Sequence, residues 1–373
     1  MSINRRRFIN ASASAVCITA FSGSAFAQKK EIKLGFIGPI SGGNSGHGLA
    51  ARNGFLLAVE HANAAGLPFK IIPVVLDDAG EPTTGVNAAL KLTNDPDCVA
   101  AIGHWNSAVA LATTPVFNRA NMPFIVWGAI SPRVTDQNLP FVTRVTPTLA
   151  AENAPLAEWL AKTKKLKTLV IVADTSDYGK QNTMSFTQLF ESHGGKIIGA
   201  DAAPVGTTDF RPILTKLKPL SAEGIYFGGV ITEAGIVRKQ MKELGINIPM
   251  YGISGIYDPM FVEIAGESAE GVVAGVREAQ KNPKSEALEA AYAAHKFSEP
   301  SSNYTMFAYD AVGIIVQALQ QKGPENKQAL SQAIRAAKYN GVLGETTFDG
   351  NGQTKVAVSI AQYVVRGGKW VRM

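Results

Sequence analysis

The sequence predicts an α/β protein with two lobes, each built on a parallel sheet. Short apolar runs recur along the chain without the strict alternation of polar and apolar residues that marks a sheet with one wet face. Segments of helical character separate these runs, as in sheets that are covered on both faces. With 373 residues, 46% of them apolar, the chain is long enough for two hydrophobic cores.

The first series of elements follows residue 31. Its predicted strands are "IKLGFIG", "KIIPVVL", "CVAAIG" and "PFIVWG". The helix between the first two strands is "GLAARNGFLLAVEHANAAG", which Gly66 closes because glycine adopts the left-handed backbone of a helix end at little cost. Further helices are predicted over 82–94 and 107–120.

A second series repeats this order. The predicted strands cover 168–174, 196–203, 223–229 and 271–276, and helices are predicted over 178–193, 210–217 and 231–244. Three more helices follow (284–297, 304–321 and 325–337), and the strands "TKVAVSIAQYVV" and "KWVRM" end the chain. The sequence thus predicts two Rossmann-like units in tandem, with extra helices late in the chain.

Residues 1–27 have the pattern of an export signal. A basic "NRRRFIN" precedes an apolar "ASASAVCITAF" and a run of small residues that predicts cleavage after Ala27. Arg5–Arg6 followed by Phe8 also resembles a twin-arginine signal, so the Sec and twin-arginine routes both stay open. No stretch approaches the ~20 apolar residues that span a bilayer. We therefore expect an exported protein that does not span the membrane.

Charge and cysteine content exclude several classes. The formal net charge is +6, and half of it comes from three arginines of the signal. No basic block remains afterwards, which argues against nucleic-acid binding.

The chain has two cysteines. Cys17 lies within the signal, where the bulky Val16 before it disfavours lipid attachment. Cys98 is then the one thiol of the mature chain, so an intrachain disulfide is excluded and a buried cysteine at a strand start is expected.

The junction "GHWNSAV" carries hydrogen-bonding groups where a strand meets a helix. Open parallel sheets bind ligands at such junctions, and the free N–H groups of a helix start favour an anion. Ser107 is therefore a candidate ligand for a carboxylate. The alternative is a plain capping serine, which would stabilise the helix by ~1 kcal/mol and bind nothing.

Catalytic signatures are not found. The loop "GPISGGNSGHG" lacks both the P-loop and the dinucleotide-binding pattern, and no nucleophile elbow is present. The five histidines are scattered, so neither a metal site nor a cofactor is expected. Asp77–Asp78 could serve acid–base chemistry, but acids beyond a strand end more often cap the next turn. We expect a protein that is not an enzyme.

These motifs together resemble the type I periplasmic binding proteins, above all the leucine and leucine/isoleucine/valine-binding proteins of ABC transporters. The resemblance covers nearly all of 31–370 and is carried by "EIKLGFIGPISG", "ARNGFLLAVEHANAAG", "VVLDDAGEPTTGVNAALKLTN", "VADTSDYGK" and "RKQMKELG". It implies two lobes joined by three hinge crossovers, near Thr146, Val276 and Glu345. It places 28–146 plus 277–345 in the first lobe, and 147–276 plus 346–373 in the second.

The resemblance also implies a ligand site in the cleft between the lobes. Ser107 would hold the ligand carboxylate, with Trp105 and Asn106 shaping the rest of the pocket. The other implied contacts are Gly128, Ala129 and Ile130 at the next strand end, Tyr178 in the second lobe, His47 in the first loop, Val230 and Ser254. The disulfide of the resembling proteins falls on Gly80 and Asn106, so both of its partners are absent here.

Three positions depart from the family pattern. A ligand-binding threonine falls on Ile130, the glutamate that pairs with the ligand ammonium falls on Ser254, and a pocket tyrosine falls on Val230. A buried ammonium without a carboxylate partner is costly. Asp177, Glu233 or Asp258 could supply that partner. Otherwise the ligand lacks an ammonium.

The resemblance implies a monomeric periplasmic protein that captures a solute, closes and docks on a membrane permease. The ligand is a small carboxylate, with an amino acid as the family default. An aromatic, keto or hydroxy acid without an ammonium is the alternative. A ligand-sensing receptor domain is the alternative from another class.

Overall fold

The fold is described by a computed structural model, which covers residues 29–278, 281–356 and 359–373. The export signal, with Arg5–Arg6, Cys17 and the predicted cleavage after Ala27, lies outside the described residues. Among the described helices, none combines the length and the apolar character needed to cross a bilayer.

A five-stranded sheet organises the first unit, and all of its strand pairs are parallel. Its strands are β1 (Lys30–Gly38), β2 (Phe69–Asp77), β3 (Cys98–Gly103), β4 (Phe124–Val126) and β5 (Val142–Arg144), in the spatial order β2–β1–β3–β4–β5. The intervening helices are α1 (Ser45–Ala64), α2 (Pro82–Thr93), α3 (Ser107–Arg119) and α4 (Arg133–Asp136). Gly66, just beyond α1, has a φ of +81°, which allows the helix to end where the sequence predicts.

A seven-stranded sheet organises the second unit. The helices are α5 (Leu149–Glu158), α6 (Asp177–Ser192), α7 (Arg211–Leu217), α8 (Ile231–Glu243) and α9 (Pro259–Ala265). The strands are β6 (Thr168–Asp174), β7 (Lys196–Ala203), β8 (Ile225–Gly228), β9 (Met250–Ile253) and β10 (Val273–Glu278), joined later by β13 (Ser359–Arg366) and β14 (Lys369–Arg372). Their spatial order is β14–β13–β10–β9–β8–β6–β7. Among the described pairs of this sheet, β10–β13 and β13–β14 are antiparallel and the others are parallel.

The late helices return to the first unit. They are α10 (Pro283–His295), α11 (Asn303–Lys322) and α12 (Lys327–Arg335), followed by the hairpin β11 (Tyr339–Gly341) and β12 (Gly344–Thr346). α11 packs tightly along α1, since a β-carbon at Gly54 would lie 2.2 Å from the backbone oxygen of Thr305. The apolar side chains of α11 join the same hydrophobic core as β1 and α1.

The chain therefore passes between the units three times, between β5 and α5, between β10 and α10, and between β12 and β13. The two parallel-sheet units with three crossovers confirm the predicted fold class. The exact domain limits stay a prediction. The strand predicted from Thr354 is described as β13 from Ser359, and Thr354 itself makes an isolated bridge to Phe348.

Candidate ligand-binding cleft

The junction between β3 and α3 is buried. The structure makes Ser107 the first helical residue, with Asn106 as the N-cap that forms no side-chain capping bond. The Ser107 hydroxyl instead accepts a hydrogen bond from the backbone N–H of Ser131 (3.3 Å). Ser107 is therefore not the N-cap residue of α3, and its role as a carboxylate ligand stays a prediction. Ser107 links two strand-end loops and keeps its own hydroxyl proton free to donate.

The loop after β4 lies directly against this junction. Gly128 has no room for a side chain, because a β-carbon there would lie 2.7 Å from the α-carbon of Trp105. The Ala129 N–H donates to the carbonyl of His104 (3.0 Å). Ile130 is buried and packs in a core cluster with side chains of the second unit. The structure thus brings these predicted residues together. At position 130, however, the apolar side chain of Ile130 replaces the hydroxyl group of the family threonine.

Arg144 supports this loop from below. Its side chain is fully buried, and its guanidinium donates to the backbone oxygens of Ala129 (3.3 Å) and Ser131 (2.5 Å). It also donates to the side-chain oxygen of Gln353 (2.6 Å), which lies between β12 and β13. Burial lowers the pKa of Arg144 to about 9. The arginine therefore ties a crossover segment to the loop that was predicted to touch ligand.

His47 lies in an aromatic cluster. Its ring centroid is 4.9 Å from that of Trp105 and 4.8 Å from that of Tyr304. Trp127 contacts Tyr304 edge-on at 6.0 Å from the other side. Burial, reinforced by the positive charge of Arg277, lowers the pKa of His47 to about 3. The imidazole is therefore neutral at physiological pH.

A buried ion pair lies beside this cluster. Arg277 at the end of β10 pairs through Nε with Glu152 at the start of α5, and neither side chain exceeds 1% exposure. The Ser254 hydroxyl donates to the other carboxylate oxygen of Glu152 (2.6 Å). Burial raises the pKa of Glu152, while Arg277 and Ser254 act in the opposite direction. Ser254, at the position of the family glutamate, thus has a carboxylate neighbour that is already neutralised.

Arg277 also reaches the first unit. Its Nη2 donates to the hydroxyl of Tyr304 (2.9 Å), and its guanidinium lies over the rings of Tyr304 and Phe307 (5.0 and 5.2 Å to the centroids). Because Tyr304 and Phe307 belong to α11, one side chain of the second unit bonds the first unit at the base of the cleft. Burial would lower the pKa of Arg277, but Glu152 and the neighbouring tyrosines outweigh it and raise that pKa.

Several buried polar atoms in this region have no hydrogen-bond partner among the described residues. They include Nη1 of Arg277, Nε2 of His47, the hydroxyl of Tyr178 and the side-chain oxygen of Asn106. Tyr178 approaches the backbone so closely that a β-carbon at Gly255 would lie 2.5 Å from its hydroxyl oxygen. Burial also raises the pKa of Tyr178. Since burying a polar group without a partner is costly, these atoms mark positions where ligand oxygens or N–H groups fit.

The acids proposed as ammonium partners lie in different surroundings. Asp177 pairs with Arg133, and Glu233 accepts the backbone N–H of Gly206 (2.8 Å). Asp258 lies closer to the cluster, with a carboxylate oxygen 3.6 Å from Nδ1 of His47. Burial raises the pKa of Asp258. Of the three, Asp258 is the one that faces the aromatic cluster.

Two further predicted positions can be located. Val230 precedes α8 and packs against the core of the first unit, so it contributes apolar contact across the cleft. Asn106 lies next to Gly80, where a β-carbon would be 3.3 Å from the Asn106 side-chain oxygen. The two positions that the resemblance assigned to a disulfide are therefore neighbours in space.

Several predicted residues have structural roles. Asp77 accepts the backbone N–H groups of Ile40 (3.0 Å) and Ala79 (2.8 Å), and Asp78 accepts that of Gly80 (2.8 Å) and contacts Nδ1 of His104 at 2.7 Å. The interpretation of these acids as turn-capping residues is confirmed.

Cys98 is buried at the start of β3, and burial raises the pKa of its thiol to about 12. In the described ranges, no three His, Cys, Asp or Glu side chains are placed to hold a metal ion together.

A cavity of about 1420 Å³ opens between the two units on the side of α1, α9, α11 and β14. His47, Ser254, Asp258, Arg277 and Tyr304 are among its lining residues. On the opposite side, Arg133 of α4 and Asp177 of α6 close the units against each other. The aromatic cluster and the ion pair thus lie at the inner end of an open cavity.

Fold and cleft together define a solute-binding protein, and residues 31–369 match the periplasmic binding protein family, to which the chain belongs. The leucine-, isoleucine-, valine-, threonine- and alanine-binding protein of Pseudomonas aeruginosa is 28% identical over 91% of each chain. The crystal structure of the leucine-binding protein LivK from Thermotoga maritima superposes with a TM-score of 0.84 at 26% identity, over 92% of this chain and 97% of that one.

A benzoate complex of an ABC-transporter solute-binding protein from R. palustris also shares the fold. Its TM-score is 0.80 at 20% identity, over 92% of this chain and 95% of that one. The predicted membership of the branched-chain amino acid type of binding protein is confirmed by these comparisons.

The sequence did not single out Glu152, Arg277, Arg144 or Tyr304. Glu152 lies within a helix that was not predicted, and Arg277 follows an apolar strand as an ordinary terminal charge. One sequence signal was available, namely Ser254 at the position of the family glutamate. A serine there leaves room for another buried charge, which in the structure is Glu152.

Proposed function

We propose that this protein is the exported substrate-binding component of an ABC importer of the branched-chain amino acid type. It captures a small carboxylate-bearing solute between its two units and delivers it to a membrane permease. The family membership and the fold support the solute-binding role. The relatives are binding proteins, and we infer capture and release in the periplasm by a monomer, without catalysis.

The observation that carries the ligand class is the buried guanidinium of Arg277 with one N–H group left unpartnered. A ligand carboxylate at that position would satisfy Nη1 through a charge-assisted hydrogen bond, which is about twice as strong as a neutral one. Ser107 and the start of α3 offer a second position for a carboxylate. Trp105, Asn106, Gly128, Ala129, Ile130, Tyr178, His47, Val230 and Ser254 would complete the pocket.

A ligand without an ammonium group fits this cleft better than an amino acid. Ser254 replaces the family glutamate, and Glu152 beside it is already paired with Arg277. An ammonium at this position would therefore be buried without a free carboxylate partner, which is costly. Keto, hydroxy and aromatic acids avoid this cost. An amino acid remains possible only if Asp258 receives the ammonium.

Matched pairs of ligands test this proposal. The pairs are L-leucine with 4-methyl-2-oxopentanoate and L-phenylalanine with phenylpyruvate, because each pair shares its carbon skeleton and differs at the α-carbon. We expect the keto acids to stabilise the protein, by ~2.7 kcal/mol at a concentration of 100 Kd, in thermal-shift and calorimetric titrations. Stabilisation by the amino acids alone would overturn the ammonium-free class. No stabilisation by any member would contradict the capture of small carboxylates.

Two variants of one residue sharpen the test. Ser254→Glu restores the family charge, and Ser254→Gln adds the same volume without it. If the ligand lacks an ammonium, the Glu variant should bind the keto acid at least ~10-fold more weakly than the Gln variant, because like charges repel. Equal affinities, or a gain of amino-acid binding with no loss of keto-acid binding, would count against the proposal.

A further inference from the structure

The cavity between the two units, on the side of α9 and β14, is larger than a small carboxylate requires. Its volume of about 1420 Å³ exceeds the roughly 300–1,000 Å³ of pockets that enclose drug-sized ligands. The lining residues come from both units, and Ser107 is not among them. The cavity therefore extends away from the β3–α3 junction, toward α9 and β14.

The inner end of this cavity is polar and buried. The Arg277 side chain is 1% exposed and lines the cavity, and its Nη1 atom has no partner among the described residues. Nε2 of His47, which lines the cavity from the first unit, is likewise unpartnered. Arg277 and His47 thus both line the cavity and each carries an unpartnered nitrogen, and a ligand carboxylate that reaches Nη1 would satisfy the guanidinium.

The outer part of the cavity is aromatic. The ring of Tyr257 is 4.9 Å from that of Tyr363 and 5.3 Å from that of Trp370. All three side chains are half-buried, and hydrogen bonds fix two of them. Trp370 donates to the backbone oxygen of Asp258 (3.0 Å), and Tyr363 donates to Glu278 (2.7 Å). Fixed aromatic rings provide apolar contact area for a ligand at a low cost in conformational entropy.

Charged side chains of both signs line the cavity. Asp258 lines the wall near His47, and Glu278 lines the outer part, where Arg372 (2.8 Å) and Tyr363 already satisfy its carboxylate. Lys281, Lys369 and Arg372 also line it, so the charges of the lining do not set the number of anionic groups on the ligand. The burial of Arg277 and its unpartnered Nη1 atom mark the inner end as the place for an anion.

Building on the proposed function, we propose that the Arg277 guanidinium is the anion anchor and that the ligand is a carboxylate with an extended apolar body. The body reaches from Arg277 along the cavity to the cluster of Tyr257, Tyr363 and Trp370. An aryl or alkyl chain of several carbons is the chemical class that matches this path. Amino acids and their keto analogues would then fill only the inner end.

A homologous series of ligands tests the length. The probes are phenylacetate, 4-phenylbutanoate and 6-phenylhexanoate, with 4-phenylbutan-1-ol as the uncharged control, each titrated calorimetrically. We expect affinity to rise at least 10-fold from phenylacetate to 6-phenylhexanoate, and the alcohol to bind at least 10-fold more weakly than the matching acid. Affinity that is flat or falls with chain length overturns the extended ligand.

Variants test the anchor. The single change Arg277→Gln would leave Glu152 buried without a cation, so the double variant Glu152→Gln/Arg277→Gln keeps the pair neutral. We expect it to bind 6-phenylhexanoate at least 10-fold more weakly, whereas Arg211→Gln, at an exposed site on α7, should bind like the native chain. Trp370→Ala should weaken 6-phenylhexanoate at least 5-fold and leave phenylacetate within twofold.

Further outcomes separate the two proposals. If Ser107→Ala abolishes binding of short carboxylates and the double variant binds them normally, the anchor at Arg277 is overturned while the solute-binding function stands. If the double variant does not fold, as circular dichroism would show, Arg277→Lys replaces it, and an unchanged affinity for 6-phenylhexanoate overturns the anchor. If the native chain binds no carboxylate of either panel, both proposals fall.

Discussion

His47 illustrates how burial alone changes the chemistry of one residue. Its ring is held between Trp105 and Tyr304, and the neighbouring Arg277 further disfavours its charged form. The imidazole therefore behaves as an aromatic surface with two nitrogen atoms and not as a cation. This suits a pocket that presents flat apolar surfaces to its ligand.

The lowered pKa of His47 gives stability a defined pH dependence. In the folded state the ring takes a proton only near pH 3, whereas an unfolded histidine does so near pH 6.5. Between these values the unfolded chain binds one more proton, so stability falls as the pH falls. In His47→Gln, the loss of unfolding free energy between pH 7 and pH 4 should shrink by up to ~3 kcal/mol. Urea denaturation at both pH values measures this, and an unchanged loss would contradict the burial argument.

Individual side chains were predicted unevenly. Ser107 came from its place at a strand–helix junction, and Trp105 and His47 came from the family pattern; both signals are local in sequence and therefore readable. The pair of Glu152 and Arg277 joins residues 125 positions apart through an ion pair that no local pattern records. Long-range pairing of this kind depends on the sheet order, so it emerges only with the structure.

At the level of elements, α11 positions a ligand-facing residue through its cap. The Ser302 side chain accepts the backbone N–H of Tyr304 (3.2 Å), and the Ser302 N–H donates to the hydroxyl of Thr305 (3.1 Å). This capping box fixes the first turn, and with it the tyrosine that bonds Arg277. The start of α11 therefore belongs to the binding machinery as well as to the fold.

A matched pair of cap variants separates these two roles. Ser302→Ala and Asn326→Ala, which caps α12 through the N–H of Ala329, should each cost ~1 kcal/mol of unfolding free energy. Only Ser302→Ala should also weaken ligand binding, by about threefold or more, because Tyr304 would fray from Arg277. Denaturation and calorimetric titration of both variants measure this. Equal affinities would show that the first turn does not need its cap to bind.

The strands that the sequence missed are short, although the three-residue β4 was predicted as part of the longer apolar run "PFIVWG". The predicted limits of the strand at Cys98–Gly103 agree with the structure, and those of the helix that begins at Ile231 differ at its end by one residue. Strands β5 and β9, with three and four residues, are too short to show a period. The hairpin of β11 and β12 was missed for the same reason.

At the scale of the molecule, closure of the cleft depends on contacts between units. The exposed guanidinium of Arg133 on α4 pairs with Asp177 on α6, across from the open cavity. Exposed ion pairs contribute about 0.2–1 kcal/mol, enough to shift a balance between open and closed forms. This pair is therefore a contact that favours closure.

Removing this contact should open the unliganded protein. In Arg133→Gln, we expect a larger radius of gyration in X-ray scattering and an affinity reduced by up to about fivefold. Lys162→Gln is the control, because its exposed pair with Glu158 lies within one helical segment. A radius of gyration that is the same in both variants would show that closure does not depend on this bond.

The packing of α11 on α1 has a consequence for biogenesis. Nearly 240 residues separate the end of one helix from the start of the other, and Gly54 fits only against the backbone of Thr305. During synthesis, the apolar face of α1 therefore stays exposed until α11 has been synthesised and has left the ribosome. We expect a fragment that stops after β10 to keep that face bare and to aggregate, so the first unit needs α11 in order to fold as a soluble piece.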